Sequence, residues 1–451
     1  MTQTALDKYK MNRAAAGDGT TPEAIKLVGA DALTPVLQQM IDGDAPKEFL
    51  DFAYGGRIVP VPKKNGSIRP VSVVTALGKL ASNLIASGLR AAVREICGTR
   101  QFGLGQPSGT ELVAAVVKAY LEANPGACLI QLDVRNAFHM IDREKMLEMI
   151  KIHYPSFWKT LAVMYCRANK MVLPIEQTAS EAEILEMTRG LKQGDPISMV
   201  IMCAVIDHAL QEAVDELTEA GGALIGFADD QQVLGPADAL VAFWKKATVA
   251  LKEWGLEVSE LKSSVVSIGH SDAAVQVHNE LGLEWNKDGV NVLGHLIGSK
   301  EYVQSMLEKD LQRLQGIATR LAGMNNKQAA FRLLWQSFTM KAQHRVKLGH
   351  SIEIDDYAAG FDAMVEGVLA SLIGKPTFQW ARRQAQLGFK EGGLALRRLR
   401  DVVLPARVAT WAKVGVAVHG NDQGLHLSPM STSGSRKLLT EKPATLSRRT
   451  W

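Results

Sequence analysis

Little in this 451-residue chain marks a secreted, zinc-finger or membrane-spanning protein. It has four cysteines, Cys97, Cys128, Cys166 and Cys203, and no two of them stand as Cys-x-x-Cys. That scatter argues against a zinc knuckle and against a disulfide framework, and it suits a reducing compartment. The ten histidines form no His-Glu-x-x-His. Isolated, apolar-flanked ones such as His295 read as core or surface residues, so no zinc site is expected. The first residues, Met1 to Arg13, include Asp7 and Lys8 and lack the apolar run of a signal peptide. The longest apolar run, Ile197 to Ile206, falls well short of the ~20 residues a membrane span needs. An intracellular protein with no membrane partner is therefore expected. Charge of one sign is also scarce. A formal net charge of +4 leaves the choice of partner to local clusters.

What is present is enough apolar residue, 47%, to bury a core across two or three domains. Residues 1 to about 20 are rich in Ala, Gly and Thr and are expected to be mobile. Thr21-Pro22-Glu23 starts a helix, with Thr21 as cap, and a short amphipathic helix pair runs through Leu50. Ile58-Val-Pro-Val-Pro62 is extended, because each proline pushes its predecessor towards β or polyproline geometry. Lys63-Lys-Asn-Gly-Ser67 then turns, and the chain returns as a strand from Arg69. Helices are expected over 76–96, 111–123, 143–152 (capped by Asp142), 155–169, 197–217 and 239–254. Cys128 to Val134 reads as a buried strand and 170–192 as a strand-loop-strand insertion. From Tyr302 to Leu372 the pattern is nearly all helical. The tail from Gly420, rich in Ser, Thr, Gly and Arg, reads as disordered.

The chemistry concentrates in Gly226-Phe-Ala-Asp-Asp230. Leu224 and Ile225 lead in, and Val233 and Leu234 lead out, so two adjacent carboxylates sit at the tip of a hairpin. Like charges held together need a reason, and bound divalent cations supply one. The plain alternative is turn chemistry, since Asp tolerates the left-handed region. A third carboxylate, Asp133, ends the Cys128–Leu132 apolar run. Three acids at strand ends are the equipment for two metal ions and nucleotidyl transfer.

Three segments in order resemble the palm motifs of reverse transcriptases, and most closely the non-LTR (LINE-like) retrotransposon class. They are Asp133-Val-Arg-Asn-Ala-Phe138, Gly190-Leu-Lys-Gln-Gly-Asp-Pro-Ile-Ser198 and Phe227-Ala-Asp-Asp230. Upstream, Pro62-Lys-Lys-Asn-Gly-Ser-Ile-Arg-Pro70 resembles the fingers motif, and Gln101-Phe-Gly103 with Gly109-Thr110 resembles the segment after it. Downstream, Gly255 to Lys262 and Val292-Leu-Gly294 resemble the last palm motif and the primer-grip hairpin. The likeness covers roughly residues 55 to 300, with a weaker stretch near 387 to 411.

The resemblance implies an α+β right-hand polymerase, with fingers and a palm carrying an antiparallel sheet, followed by a helical thumb. In its terms residues 1–50 are an N-terminal extension, partly disordered, 51–300 fingers and palm, 301–415 thumb and a basic post-thumb region, and 416–451 a disordered tail. It implies that Asp133, Asp229 and, more peripherally, Asp230 hold two Mg²⁺ ions, Mn²⁺ being an alternative. Phe138 would be the steric gate that excludes a 2′-hydroxyl. Gln193 and Gly194 would lie against the incoming nucleotide and its templating base. Lys63 (or its neighbour Lys64) and Arg69 would clamp the triphosphate. Lys262 would protonate pyrophosphate, and Leu293 and Gly294 would seat the primer end. The implied partners are an RNA template, a DNA primer and deoxynucleoside triphosphates, and the implied place is the nucleus. Ser198 is followed by Met199 where the family commonly has proline.

Nine basic residues lie between Lys375 and Lys413, against Glu391 and Asp401, with Trp380 and Trp411 interleaved. That mixture reads either as a nucleic-acid backbone track or as a charged helix face over core tryptophans. Three rival readings remain for the whole chain: a group II intron maturase-type reverse transcriptase, a viral RNA-dependent RNA polymerase and a non-catalytic nucleic-acid-binding remnant. Gln193-Gly-Asp-Pro196 disfavours the first. Phe227-Ala-Asp-Asp230 and Phe138 disfavour the second, and the intact acids disfavour the third.

Overall fold

The computed structural model describes residues 1–419, apart from 10, 12–14, 64–65, 99, 175–181, 349–351 and 377. The tail, Lys64 and the middle of the 170–192 insertion lie outside the described residues. The expectation of a mobile start gives way to a helix, α1 (Thr2–Asp7), whose Leu6 is buried. Tyr9 extends the anchorage by donating its hydroxyl to the Ala76 carbonyl at 3.3 Å. One leucine and one tyrosine thus hold a segment whose composition looked solvated.

The expected helix pair is three helices, α2 (Pro22–Val28), α3 (Ala30–Asp42) and α4 (Lys47–Ala53). Thr21 caps the first by accepting the Ala24 N–H. A turn joins β1 (Gly56–Pro62) to β2 (Ile68–Val74), antiparallel from Pro62↔Ile68 to Gly56↔Val74. After α5 (Ala76–Cys97) and α6 (Gly109–Ala123) comes β3 (Leu129–Arg135), which ends in the short helix α7 (Ala137–Met140). Asp142 caps α8 (Arg143–His153), accepting from the Glu144 and Lys145 N–H groups, and α9 (Pro155–Tyr165) follows. The insertion supplies β4 (Asn169–Pro174) and β5 (Ala182–Met187). Next come α10 (Pro196–Glu219), β6 (Ala223–Phe227), β7 (Asp230–Leu234), α11 (Ala237–Glu253) and β8 (Glu257–Val258).

Two compact units form, and neither is one continuous stretch. The first comprises residues 1–106, 131–233 and 241–263; the second comprises 107–130, 234–240 and 264–451. In the first unit one sheet has the order β2-β1-β4-β5, with β1 and β4 parallel. In the other, β7 stands between β6 and β3, and β8 joins β3 antiparallel at Val134↔Val258. The helix α10 is long and apolar enough to cross a membrane, but 78% of its most apolar window is buried. It packs on α5 and β6 as a core helix, which is why its apolar face is so wide.

The turn entering α10 encloses a charge. Lys192 is 1% exposed; its Nζ donates to the Tyr54 carbonyl at 2.8 Å and pairs with Asp195 at 3.3 Å. The Tyr54 and Tyr165 rings lie 5.7 and 5.8 Å from the same nitrogen. Burial pulls the lysine below its ordinary pKa, and Asp195 opposes that pull.

The second unit adds β9 (Ser264–Val266), α12 (Asp272–Leu281) and β10 (Glu284–Asn286), with β9 and β10 parallel. The hairpin β11 (Gly289–Val292) and β12 (His295–Gly298) leads into α13 (Lys300–Ala322), α14 (Lys327–Gln336), α15 (Ile352–Ile373), α16 (Gln379–Gln386) and α17 (Leu399–His419). Leu307, Leu314, Ala318 and Leu321 recur at helical spacing on α13 and meet Leu334, Phe338 and Phe361 in one core. The Phe338 and Phe361 rings stack 5.2 Å apart. Asp362 of α15 caps α17, accepting the Leu399 N–H at 2.6 Å.

Removing one member of a buried ion pair strands the other. Lys192→Met should therefore destabilise the protein by about 3–5 kcal/mol in urea unfolding. A loss below about 1 kcal/mol would show that Asp195 finds water or another partner.

Candidate active site

The Asp229-Asp230 pair owes its position to the residue before it. Ala228 has φ +58°, in the left-handed region, where an L-residue is strained by about 1–2 kcal/mol. The turn is thus not explained by an aspartate's own tolerance for that region. Two buried glutamines grip the strained residue. Gln101 Oε1 accepts the Ala228 N–H at 2.8 Å, and Gln231 Nε2 donates to the Ala228 carbonyl at 2.6 Å. Room for them comes from two glycines. A Cβ on Gly103 would fall 2.7 Å from the Ala228 nitrogen, and one on Gly226 would fall 2.3 Å from Gln231 Oε1. The Phe102 N–H and the Gly226 carbonyl join the two segments at 2.8 Å. Sequence reading gave Gln101 and Gln231 no role; the signal was Gln101-Phe-Gly103 itself, amides and glycines that a surface loop does not need.

Asp133 arrives on β3, half-buried, with its N–H donated to Ser263 Oγ at 3.0 Å. Lys262, next to that serine, places Nζ 3.1 Å from Asp133 Oδ1. Asp229 and Asp230 both feel neighbouring carboxylates. Burial raises the Asp229 pKa, its own backbone N–H lowers it, and the Asp133 charge raises it further; Arg69 and Lys262 oppose. Asp230 is pushed up to about 6, first by desolvation of its carboxyl and then by Asp229 and Asp133. Three carboxylates therefore face two cationic side chains. Oxygen donors in excess of their counter-charges suit a hard divalent cation, so these residues fit a metal-dependent site.

Among the other expected residues, Arg69 stands on β2 and its charge reaches Asp229. The charge of Lys63 acts on His139, whose imidazole burial already holds below the ordinary value, against a hydrogen bond involving Pro70. Phe138 lies half-buried on α7, and its carbonyl accepts the Leu191 N–H at 2.5 Å, tying two motifs together. Gln193 accepts the Ser72 N–H on its carbonyl at 2.7 Å. Gly194, at φ +119°, passes so close to β2 that a Cβ would meet the Ser72 carbonyl at 2.5 Å. These contacts bring β2, the Gln193 turn and α7 together.

Leu293 and Gly294 belong to the second unit. Both have positive φ, +48° and +95°, as a two-residue hairpin loop requires. The Leu293 carbonyl faces His344 Nε2 at 2.9 Å, and Arg345 donates to the Gly294 carbonyl at 2.5 Å. The basic stretch after 375 divides. Trp380 is 72% exposed, whereas Trp411 is half-buried on α17, which packs on α6, with Lys118 Nζ 6.0 Å from its ring. Arg382 and Arg398 pair with Glu366 and Asp401, so part of that charge is used within the unit.

Residues 61–297 match the family described as reverse transcriptase (RNA-dependent DNA polymerase). The chain is similar to a retrovirus-related Pol polyprotein from type-1 retrotransposable element R2 of Nasonia vitripennis, 25% identical over 302 residues, covering 63% of this chain and 29% of that protein. It is also similar to the retrotransposable element SLACS 132 kDa protein of Trypanosoma brucei gambiense, 22% identical over 404 residues, covering 85% and 32%. The chain thus spans about a third of the length of these relatives. Among solved structures it resembles telomerase from Candida albicans in complex with a fragment of telomeric RNA, at 9% identity, 84% and 65% coverage and TM-score 0.46. Apo telomerase from Candida tropicalis gives 10% identity, 93% and 76% coverage and TM-score 0.45.

A carboxyl whose folded pKa exceeds its unfolded value of about 3.9 favours folding while protonated, and that contribution is lost as pH rises through the folded value. In chelator, Asp230→Asn should therefore raise Tm over wild type at about pH 8, with the gap closing towards about pH 4. A gap that stays constant across that range would mean Asp230 ionises normally.

Proposed function

This chain belongs to the reverse transcriptase (RNA-dependent DNA polymerase) family, and we propose that it extends a DNA 3′ end by copying RNA. Its curated relatives are non-LTR retrotransposon polyproteins, and the chain is a non-LTR reverse transcriptase domain. The observation that carries the activity is the group of three carboxylates from β3 and the β6–β7 turn, two of them pushed towards protonation by burial and by the charge of neighbouring aspartates. Residues 51–300 are read as fingers and palm, and 301–415 as thumb and post-thumb.

Asp133, Asp229 and Asp230 are the residues that would hold Mg²⁺, which when bound activates the primer 3′-hydroxyl and neutralises the departing pyrophosphate. Arg69, beside Asp229, offers a fork of donors to the triphosphate. Lys262 neutralises Asp133 and can supply a proton to the leaving group. Lys63, in the turn after β1, is the other member of the proposed clamp. Gln193 and Gly194 present backbone next to β2, where a nucleotide held by Arg69 would pack. A template RNA and primer are the partners this chemistry requires. A non-catalytic remnant is disfavoured because Gln101, Gln231 and the two glycines beside them still hold the strained turn, an arrangement with no use once the acids stop binding metal.

Asp133→Ala or Asp229→Ala should abolish primer extension on an RNA template with the fold intact by circular dichroism. Losing such electrostatic stabilisation typically costs about a hundredfold or more, so either variant keeping a tenth of the wild-type rate would defeat the assignment.

Phe138→Val tests sugar choice. If the ring lies beneath the deoxyribose, ribonucleotide use relative to deoxynucleotide should rise by roughly ten to a hundredfold in kcat/KM, about 1.4–3 kcal/mol of lost discrimination. An active, folded variant with unchanged sugar preference would make Phe138 a packing residue.

A further inference from the structure

Glu111, His295 and His344 are remote in sequence but meet inside the second unit, one potential ligand atom from each lying within 4.8 Å of the others. Glu111 sits in the first turn of α6, His295 opens β12, and His344 lies in the turns that follow α14. His295 is 2% exposed, yet neither of its ring nitrogens has a hydrogen-bond partner among the described residues. Buried polar groups are nearly always partnered, so this imidazole presents unused donor capacity to its neighbours. The His344 ring is one of them, 4.2 Å away between centroids.

His344 is already oriented. Its Nε2 faces the Leu293 carbonyl at 2.9 Å; a carbonyl only accepts, so that nitrogen carries a proton and Nδ1 is the atom left for a ligand. A backbone carbonyl holding the far N–H is the common outer support of a metal-bound imidazole. Glu111 supplies the negative charge. Burial alone would raise its pKa, but hydrogen bonds from Lys347, Thr110 and its own backbone, with the Lys347 charge, hold it down to about 2. Lys347 Nζ pairs with Glu111 Oε1.

We propose that Glu111, His295 and His344 form a site for a borderline-soft divalent cation of the zinc class, with Lys347 the competing cation that leaves Glu111 on binding. Two imidazoles and a carboxylate are an open three-ligand set for Zn²⁺, with solvent as fourth donor. Mg²⁺ prefers oxygen and keeps its waters, so the three-aspartate group and this site differ in the metal they select. The metal would tie α6, the start of β12 and the segment that holds the Leu293 carbonyl. It would act as a clasp on the β11–β12 hairpin, with no part in the chemistry. The cysteine and histidine spacing of the sequence gives no hint of it, because the ligands converge only after folding.

The full chain, stripped with chelator and exchanged into excess Mg²⁺, is titrated with Zn²⁺ by calorimetry and with Co²⁺ by visible absorption, neither of which depends on polymerase activity. One Zn²⁺ per chain is expected, with a rise in Tm and a Co²⁺ spectrum of low coordination number. His344→Gln, at a half-buried position, should weaken binding by at least about tenfold. Lys347→Met should tighten it, because the competitor is gone. No stoichiometric Zn²⁺ uptake by the wild-type chain, or uptake unchanged in His344→Gln, would overturn the proposal.

Discussion

One strained peptide sets the terms for the first unit. Ala228 is held in the left-handed region by Gln101 and Gln231, and only because it is held there do Asp229 and Asp230 leave β6 where they do. The strain is local, and the restraint is spread over segments far apart in sequence. Gly103 and Gly226 are glycines because a Cβ at either position would collide with this arrangement. A turn that would relax by itself is thereby kept in one geometry, the kind of advance positioning that metal-dependent chemistry rewards.

The remaining motif segments follow the same logic of close backbone approach backed by buried polar bonds. Gly194 runs against the Ser72 carbonyl, and Gly190 against His139, so neither tolerates a side chain. Behind them Lys192 and Asp195 fix the entry to α10 with an enclosed charge pair. Arg69 and Lys262 flank the acids and offset part of their repulsion. Asp230 is still pushed up to about 6, first by desolvation of its carboxyl and then by the charges of Asp229 and Asp133, and perturbed carboxyls of this kind cluster at functional sites.

Much of this was legible in the sequence because it depends on local rules. Thr21 and Asp142 announce their helices as caps, the prolines of β1 mark an extended strand, and the order of motifs fixes the family. Long-range pairing was not legible. Nothing about Gln101 as a letter says that it binds Ala228, and a lone leucine gives no sign that α1 is anchored. Trp380 and Trp411 look alike in a basic stretch, yet one is exposed and the other packs on a helix. Lys63 matched its motif, and nothing in the motif says that its charge is felt at His139. The interleaving of the compact units was hidden for a related reason: α6 is an early segment that packs with late ones.

The grip on Ala228, rather than the aspartates' own turn preference, places Asp229 and Asp230. Single-nucleotide incorporation by Gln101→Leu, on an RNA template and with folding checked by circular dichroism, tests it most directly. A displacement of about 1 Å at the acids is enough for a roughly hundredfold fall in kcat, with KM for the nucleotide little changed. That split is the predicted result. A folded Gln101→Leu protein that incorporates nucleotide at the wild-type rate would contradict the account.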